Sequence, residues 1–115
     1  MDAEQIGVTL TDQNFRATVL ESQKPVLVAC WAEGCGPWHL LVPEITALAE
    51  AFRGQVTVAT LDVEAQPQTP ERYGVETLPA LLFFKDGQVV DQLSGVVDKA
   101  DIAAKLHALT QAGKA

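Results

Sequence analysis

The stretch from Val26 to Pro43 limits the fold more tightly than any other. Val26-Leu27-Val28-Ala29-Cys30 is a continuous apolar run, Trp31-Ala32-Glu33-Gly34 closes it, and Cys35-Gly36-Pro37 stands where the chain restarts as a helix. A short apolar run bounded by turn residues predicts a strand buried on both faces, the central strand of a sheet covered by helices. Pro37 suits the first turn of a helix, where a backbone N–H has no intrahelical use. The stretch is therefore a strand, a tight turn and a helix, with a thiol at the joint. Unpaired N–H groups and the positive end of the helix dipole stabilise a thiolate at such a place, which makes Cys35 the best candidate for chemistry. The competing reading is a packed structural cysteine, and the flanking Gly34 and Gly36 argue against it.

The remaining elements follow in order. Val8-Thr9-Leu10 reads as a short strand, and Thr11 as the cap of a helix with Asp12 in its first turn and Phe15, Val19 and Leu20 on its apolar side. The helix that starts at Gly36 runs to Phe52 with Leu41, Ile45, Leu48, Ala49 and Phe52 inward, and Pro43 inside it predicts a kink. Gly54 stops that helix, and Val56 to Asp62 reads as a strand parallel to the first, completing a βαβ unit. A short helix from about Pro67 or Pro70 ends at Gly74, and Leu81–Phe84 and Gln88–Leu93 flank Asp86-Gly87, a strong hairpin signal. Asp98 followed by Asp101 opens a last helix with Ile102, Leu106 and Leu109 as its stripe, and the tail from Thr110 to Ala115 is expected to fray. The order β-α-β-α-β-α-β-β-α predicts one α/β domain over residues 1–115. Its mixed sheet joins a parallel βαβ half to an antiparallel hairpin half, with helices on both faces.

Trp31-Ala32-Glu33-Gly34-Cys35-Gly36-Pro37-Trp38 resembles the active-site segment of the thioredoxin family, Trp-Ala-x-Trp-Cys-Gly-Pro-Cys. The resemblance runs from about residue 8 to residue 110 and implies the thioredoxin fold. It also implies that Cys35 is a nucleophile that attacks a substrate disulfide. In the family a second cysteine three residues on resolves the mixed disulfide, and here Trp38 holds that position. Gly34 stands where the family usually has Trp. Ala29 and Thr60 stand where it commonly has a buried Asp and Lys beneath the active site. Loss of one member of a buried ion pair strands a charge at about 3–5 kcal/mol, whereas joint replacement by fitting neutral groups can be neutral. The pair is gone together with the second cysteine, which fits a lineage without the family's proton-handling machinery. Trp38 itself could plug the groove, pack on a partner or shield the Cys35 sulfur; otherwise it is an exposed or half-buried hydrophobe without a special role.

Glu76-Thr77-Leu78-Pro79-Ala80 resembles the family segment in which a cis-proline lies against the active cysteine. The resemblance implies that Leu78 offers a backbone edge to an extended substrate peptide, with Trp31, Gly34 and Pro79 around it and Gly95 as the floor of the same groove. Read without the family, Pro79 simply starts a strand and Gly95 ends one.

Fifteen acidic against eight basic residues give a net charge of −7, spread without an acidic tail, so nucleic acid and anionic membrane surfaces are excluded as expected partners. Met1-Asp2-Ala3-Glu4-Gln5 lacks the basic and apolar regions of a secretory signal, and no apolar run approaches the roughly 20 residues of a transmembrane helix, so a cytoplasmic location is expected. Cys30 and Cys35 are spaced C-x4-C, neither the redox Cys-x-x-Cys nor a zinc pattern, so neither a metal nor any other cofactor is expected. Strand alternation puts Cys30 on the face of Val26 and Val28, away from Cys35, and no disulfide between the two is predicted. Three functions follow. The first is a redox protein for thiol–disulfide exchange and electron transport, using Cys35 alone on disulfide-containing or extended-peptide partners and released by glutathione or another external thiol. The second is a non-catalytic or chaperone-like binding module that uses the groove around Cys35, Trp38 and Pro79. The third, a thiol-bridged iron–sulfur dimer, needs more thiolates than one chain offers.

Overall fold

The computed structural model describes residues 7–95 and 98–112. Five strands form one sheet: β1 (Val8–Thr9), β2 (Val26–Trp31), β3 (Thr57–Asp62), β4 (Ala80–Lys85) and β5 (Gln88–Ser94). Their spatial order is β1-β3-β2-β4-β5. β3 runs parallel to both β1 and β2, while β4 is antiparallel to β2 and to β5. β2 is therefore the seam between the parallel and antiparallel halves, and five of its six residues are buried. This explains the unbroken apolar run, because a central strand covered on both faces has no solvent side to mark with polar residues.

Three helices, α1 (Gly36–Ala51), α2 (Gln68–Arg72) and α3 (Lys99–Ala112), and a short helical segment at Arg16–Leu20 cover the sheet. Alternation along the strands sorts the core into two layers. Leu27, Ala29, Val58, Leu81 and Phe83 pack under α1 and α3 with Trp38, Leu41, Ile45, Leu48, Ile102 and Leu106. Val26, Val28, Cys30, Ala59, Leu61, Leu82 and Phe84 pack on the other side with Phe15 and Val19, joined by Tyr73 of the α2 end. The parity that sends Cys30 one way and Ala29 the other is the period of two expected of a strand.

Local signals account for most element boundaries. Thr11 Oγ1 accepts from the Asn14 N–H at 2.9 Å while Asn14 Oδ1 accepts from the Thr11 N–H at 2.7 Å, a reciprocal cap. The helical segment that follows is wider than the α-helix expected there, since the Glu21 N–H reaches back five residues to Arg16 O at 2.9 Å. Asp86 and Gly87 both have positive φ, 54° and 79°, the backbone that a two-residue hairpin with native twist requires. α3 continues to Ala112, two residues past the point where fraying was expected, and residues 113–115 lie outside the described residues, as do the first five residues used above to argue against a signal. Among the described residues no helix is long and apolar enough to cross a membrane.

Candidate active site

β2 delivers the chain to the site at its C-terminal end. Trp31 is its last residue, the loop turns back so that the Cys35 N–H donates to Ala32 O at 3.0 Å, and α1 begins at Gly36. Cys35 is the N-cap of α1 with extended backbone, φ −84° and ψ 100°, and its side chain makes no capping hydrogen bond. The sulfur is therefore not consumed by the helix end. Cys35 is partly exposed and packs along one side against the α1/α3 core layer. Gly34, Gly36 and Pro37 are exposed, and a Cβ built on either glycine would meet no atom within 4 Å. The loop thus leaves open space around the thiol.

The neighbouring strand supplies the second wall. Antiparallel pairing sets Cys30 opposite Ala80, so the start of β4 lies beside the end of β2. Leu78 and Pro79 immediately precede Ala80, and the peptide bond between them is cis. Pro79 is buried and Leu78 half-buried against the second core layer. Pro79 O accepts the Gly95 N–H at 2.8 Å, and Gly95 has φ +80° with no atom near its missing side chain. The loop carrying Cys35 and the segment of Leu78, Pro79 and Gly95 thus share one end of the sheet on adjacent strands.

Trp38 is not at this surface. It is fully buried (0% exposed), so its side chain neither plugs a groove nor offers itself to a partner. The indole stacks on Trp31 with ring centroids 6.1 Å apart and planes at 15°, inside the core layer that also holds Ala29. Trp38 and Ala29 belong to the same core layer, and a small side chain on β2 is compatible with a large one on α1 there, because interiors are closely packed. Trp38 Nε1 has no hydrogen-bond partner there. Ala29 pairs in register with Thr60, which is also buried and whose Oγ1 is likewise unpartnered. Both thiols are free. Cys30 is fully buried in the opposite layer, and burial pushes its thiol up to about 12.

One functional-looking group escaped sequence reasoning. Asp12, expected to favour the first turn of its own helix, instead reaches across to α2. Its Oδ1 accepts from Thr69 N–H at 2.9 Å and Thr69 Oγ1–H at 2.7 Å, and its Oδ2 from Gln68 N–H at 3.4 Å. Desolvation pushes this carboxyl up, but those hydrogen bonds and the nearby Arg72 charge outweigh it and hold the group below its ordinary 3.8. No local signal could reveal a contact spanning 57 residues. A groove of about 500 Å³ runs along the outer side of α1 between His39, Val42, Pro43, Thr46, Ala47 and Glu50. It does not include Cys35, and neither cysteine lines it.

The fold order, the thiol at a strand-to-helix joint and the adjoining proline segment agree with one family model, Thioredoxin, which matches residues 7–108. The chain belongs to the thioredoxin family. It is 45% identical to Thioredoxin 2 of Chlorobaculum tepidum over 96 residues, which cover 84% of this chain and 88% of that one. To the thioredoxin of Pseudomonas aeruginosa it is 39% identical over 101 residues, 88% of this chain and 94% of the relative. The thioredoxin of Alicyclobacillus acidocaldarius is 40% identical over 104 residues, 90% and 98% of the two chains. The chain is therefore a thioredoxin-like redox protein, and the fold is the mixed five-stranded α/β sheet of that family.

Proposed function

We propose that this thioredoxin-family chain performs thiol–disulfide exchange through Cys35 alone, as a monothiol that is poor at complete reduction of protein disulfides. The observation that carries the reading is the placement of Trp38: the third residue after Cys35 is an indole locked in the core, and the second thiol of the chain, Cys30, is buried in the opposite layer. A mixed disulfide on Cys35 then has no internal thiol to resolve it.

The steps balance with one external reductant. The Cys35 thiolate attacks one sulfur of a partner disulfide, the S–S bond breaks, and the other partner sulfur leaves as a thiolate that takes up a proton from solvent. A second thiolate, from glutathione or another small thiol, attacks the mixed disulfide; Cys35 leaves reduced and the external thiol ends in a disulfide with the partner. Gly36 and Pro37 hold the thiol at the helix start. Leu78 and Pro79 form the edge along which an extended, disulfide-containing peptide lies, beside Trp31, Gly34 and Gly95. The cytoplasm, where small thiols are kept reduced, is the compartment in which this cycle turns over.

The test combines trapping with turnover. The wild-type protein mixed with an aromatic disulfide reagent should give one stoichiometric adduct, mapped by mass spectrometry to Cys35, absent in Cys35→Ser and released by glutathione. Insulin reduction in the presence of thioredoxin reductase should be slow. Reduction at the rate of an ordinary dithiol thioredoxin overturns the monothiol cycle; failure of Cys35 to form any adduct overturns the exchange itself and leaves a binding module.

A further inference from the structure

The redox reading uses α1 only at its first turn, and the rest of that helix is unusually apolar for a surface element. Among its sixteen residues only His39, Glu44, Thr46 and Glu50 have polar side chains. Its inner side buries Trp38, Leu41, Val42, Ile45 and Leu48, which leaves Leu40, Pro43 and Ala47 outside the buried set. Leu40 is 66% exposed, more than any other exposed large hydrophobic among the described residues. A helix that is apolar round most of its circumference belongs in an interior, and a contiguous apolar patch left on a surface marks a contact site. The groove of about 500 Å³ lies on this outer side.

The order of residues along the groove selects the occupant. His39, Pro43, Thr46 and Glu50 line it at spacings of four, three and four, the stripe that one α-helix presents to another. Thr46 Oγ1 donates to Val42 O at 2.7 Å, so its hydroxyl is spent inside the helix and its methyl group is what remains for a contact. The stripe therefore runs from an N–H donor through two apolar positions to a carboxylate. A twofold axis passing between Glu44 and Ile45 lays this stripe antiparallel on itself. His39 then meets Glu50 of the second copy and Pro43 meets Thr46 of the second copy, each pair occurring twice, as a closed isologous interface requires. On the flank of the same stripe Leu40 comes over Ala47 of the second copy, a large side chain on a small one. Glu50 is bonded to Arg53 through Oε2, which leaves Oε1 to accept the imidazole N–H. Parallel pairing would instead set Glu50 on Glu50. The inverted order of donor and acceptor at the two ends favours a second copy over an unrelated peptide, which has no need to match it.

We infer that this groove is a self-association surface, on which two copies of the chain pair α1 against α1 antiparallel, closed at each end by His39 and Glu50. Cys35 is not part of the groove, so both thiols of the pair stay open to exchange. One helix face from each copy makes a small interface, and the dimer is accordingly weak and concentration-dependent.

Sedimentation velocity from micromolar to millimolar protein, with thiols kept reduced, should show a monomer–dimer equilibrium with the same dissociation constant in Cys35→Ser. His39→Glu opposes two carboxylates at each end, and Leu40→Ser removes the flanking apolar contact; each should raise the dissociation constant by about tenfold or more. Both positions are exposed, so circular dichroism should show an unchanged fold. His39→Glu combined with Glu50→Lys rebuilds an opposite-charge pair at each end and should return the dissociation constant toward that of the wild type. A chain that stays monomeric at millimolar concentration, a dimer lost in Cys35→Ser, or a double variant that associates no more tightly than His39→Glu overturns the inference. So do α1 amide resonances that move on addition of a disulfide-containing peptide but not with protein concentration, because the groove then belongs to a substrate. Thiol exchange enters none of these measurements, so failure here is separable from failure of the monothiol cycle.

Discussion

Replacing Trp38 by Cys restores the family spacing of two thiols, and the packing sets what that costs. The indole is fully buried and stacked on Trp31, so truncation removes most of a large side chain from the layer of Leu27, Ala29, Leu41 and Ile45. Large-to-small changes at buried Trp or Phe cost about 3–5 kcal/mol when the site relaxes only partly. Loss of the unpartnered Nε1–H returns about 1 kcal/mol of desolvation. The net is a destabilisation of about 2–4 kcal/mol. With an unfolding entropy of about 2.1 cal/mol/K per residue, a chain of 115 residues has about 0.24 kcal/mol/K, so the midpoint should fall by about 8–17 °C. Calorimetry on reduced Trp38→Cys measures this directly. Trp38→Phe is the control, since it keeps an aromatic ring and sheds the orphan N–H; its change should stay within about 1.5 kcal/mol. Where Trp38→Cys remains folded, insulin reduction should rise above wild type but not reach an ordinary dithiol thioredoxin, because Ala29 offers no carboxylate beneath the site. A reduced Trp38→Cys that melts within 2 °C of wild type, a margin of roughly 0.5 kcal/mol, would refute the packing argument.

Two further outcomes test the rest of the molecule. In the native protein iodoacetamide should modify Cys35 only, with Cys30 labelled only in denaturant; because burial raises the native Cys30 thiol from 9.0 to about 12, its contribution to stability is full below pH 9 and is lost as pH rises toward 12. Equal labelling of both cysteines would contradict its place in the core. Asp12→Asn should lower the midpoint at pH 7 and much less at pH 2, because a carboxyl held below its ordinary 3.8 stabilises the fold above that pH and loses the effect as pH falls through its depressed native value. An identical deficit at both pH values would show that the α2 contacts do not depend on the charge.

The sequence is legible where one residue type answers one local demand. Asp86-Gly87 states a hairpin because both positions need positive φ, and the apolar run from Val26 states a central strand because both faces are covered. Cys35 at a strand-to-helix joint is visible for a similar reason: Pro37 fixes φ at the first turn of the helix, and the flanking Gly34 and Gly36 mark the break between strand and helix. Trp38 is where local reading fails. An aromatic in the first turn of a helix is equally compatible with the surface and the interior, and its burial depends on the core layer it enters, which includes Trp31 and Ala29. Asp12 fails in the same way, since its acceptors' donors lie on α2, more than fifty residues away in sequence.

Ala29, Trp38 and Thr60 are better understood as one solution than as three substitutions. A carboxylate in the position of Ala29 would need a buried cationic partner to stay ionised, and Thr60, its register neighbour on β3, offers a hydroxyl but no charge. A methyl group removes that demand and leaves space, and the indole of Trp38 belongs to the layer around that space. Among the described residues no acidic or basic side chain is buried, and the Cys30 thiol lies in the opposite layer, so a proton that Cys35 gains or gives exchanges with solvent at the exposed side of the loop beside Gly34 and Gly36. For the monothiol cycle proposed above, the same open side of the loop is where a small external thiol would reach Cys35.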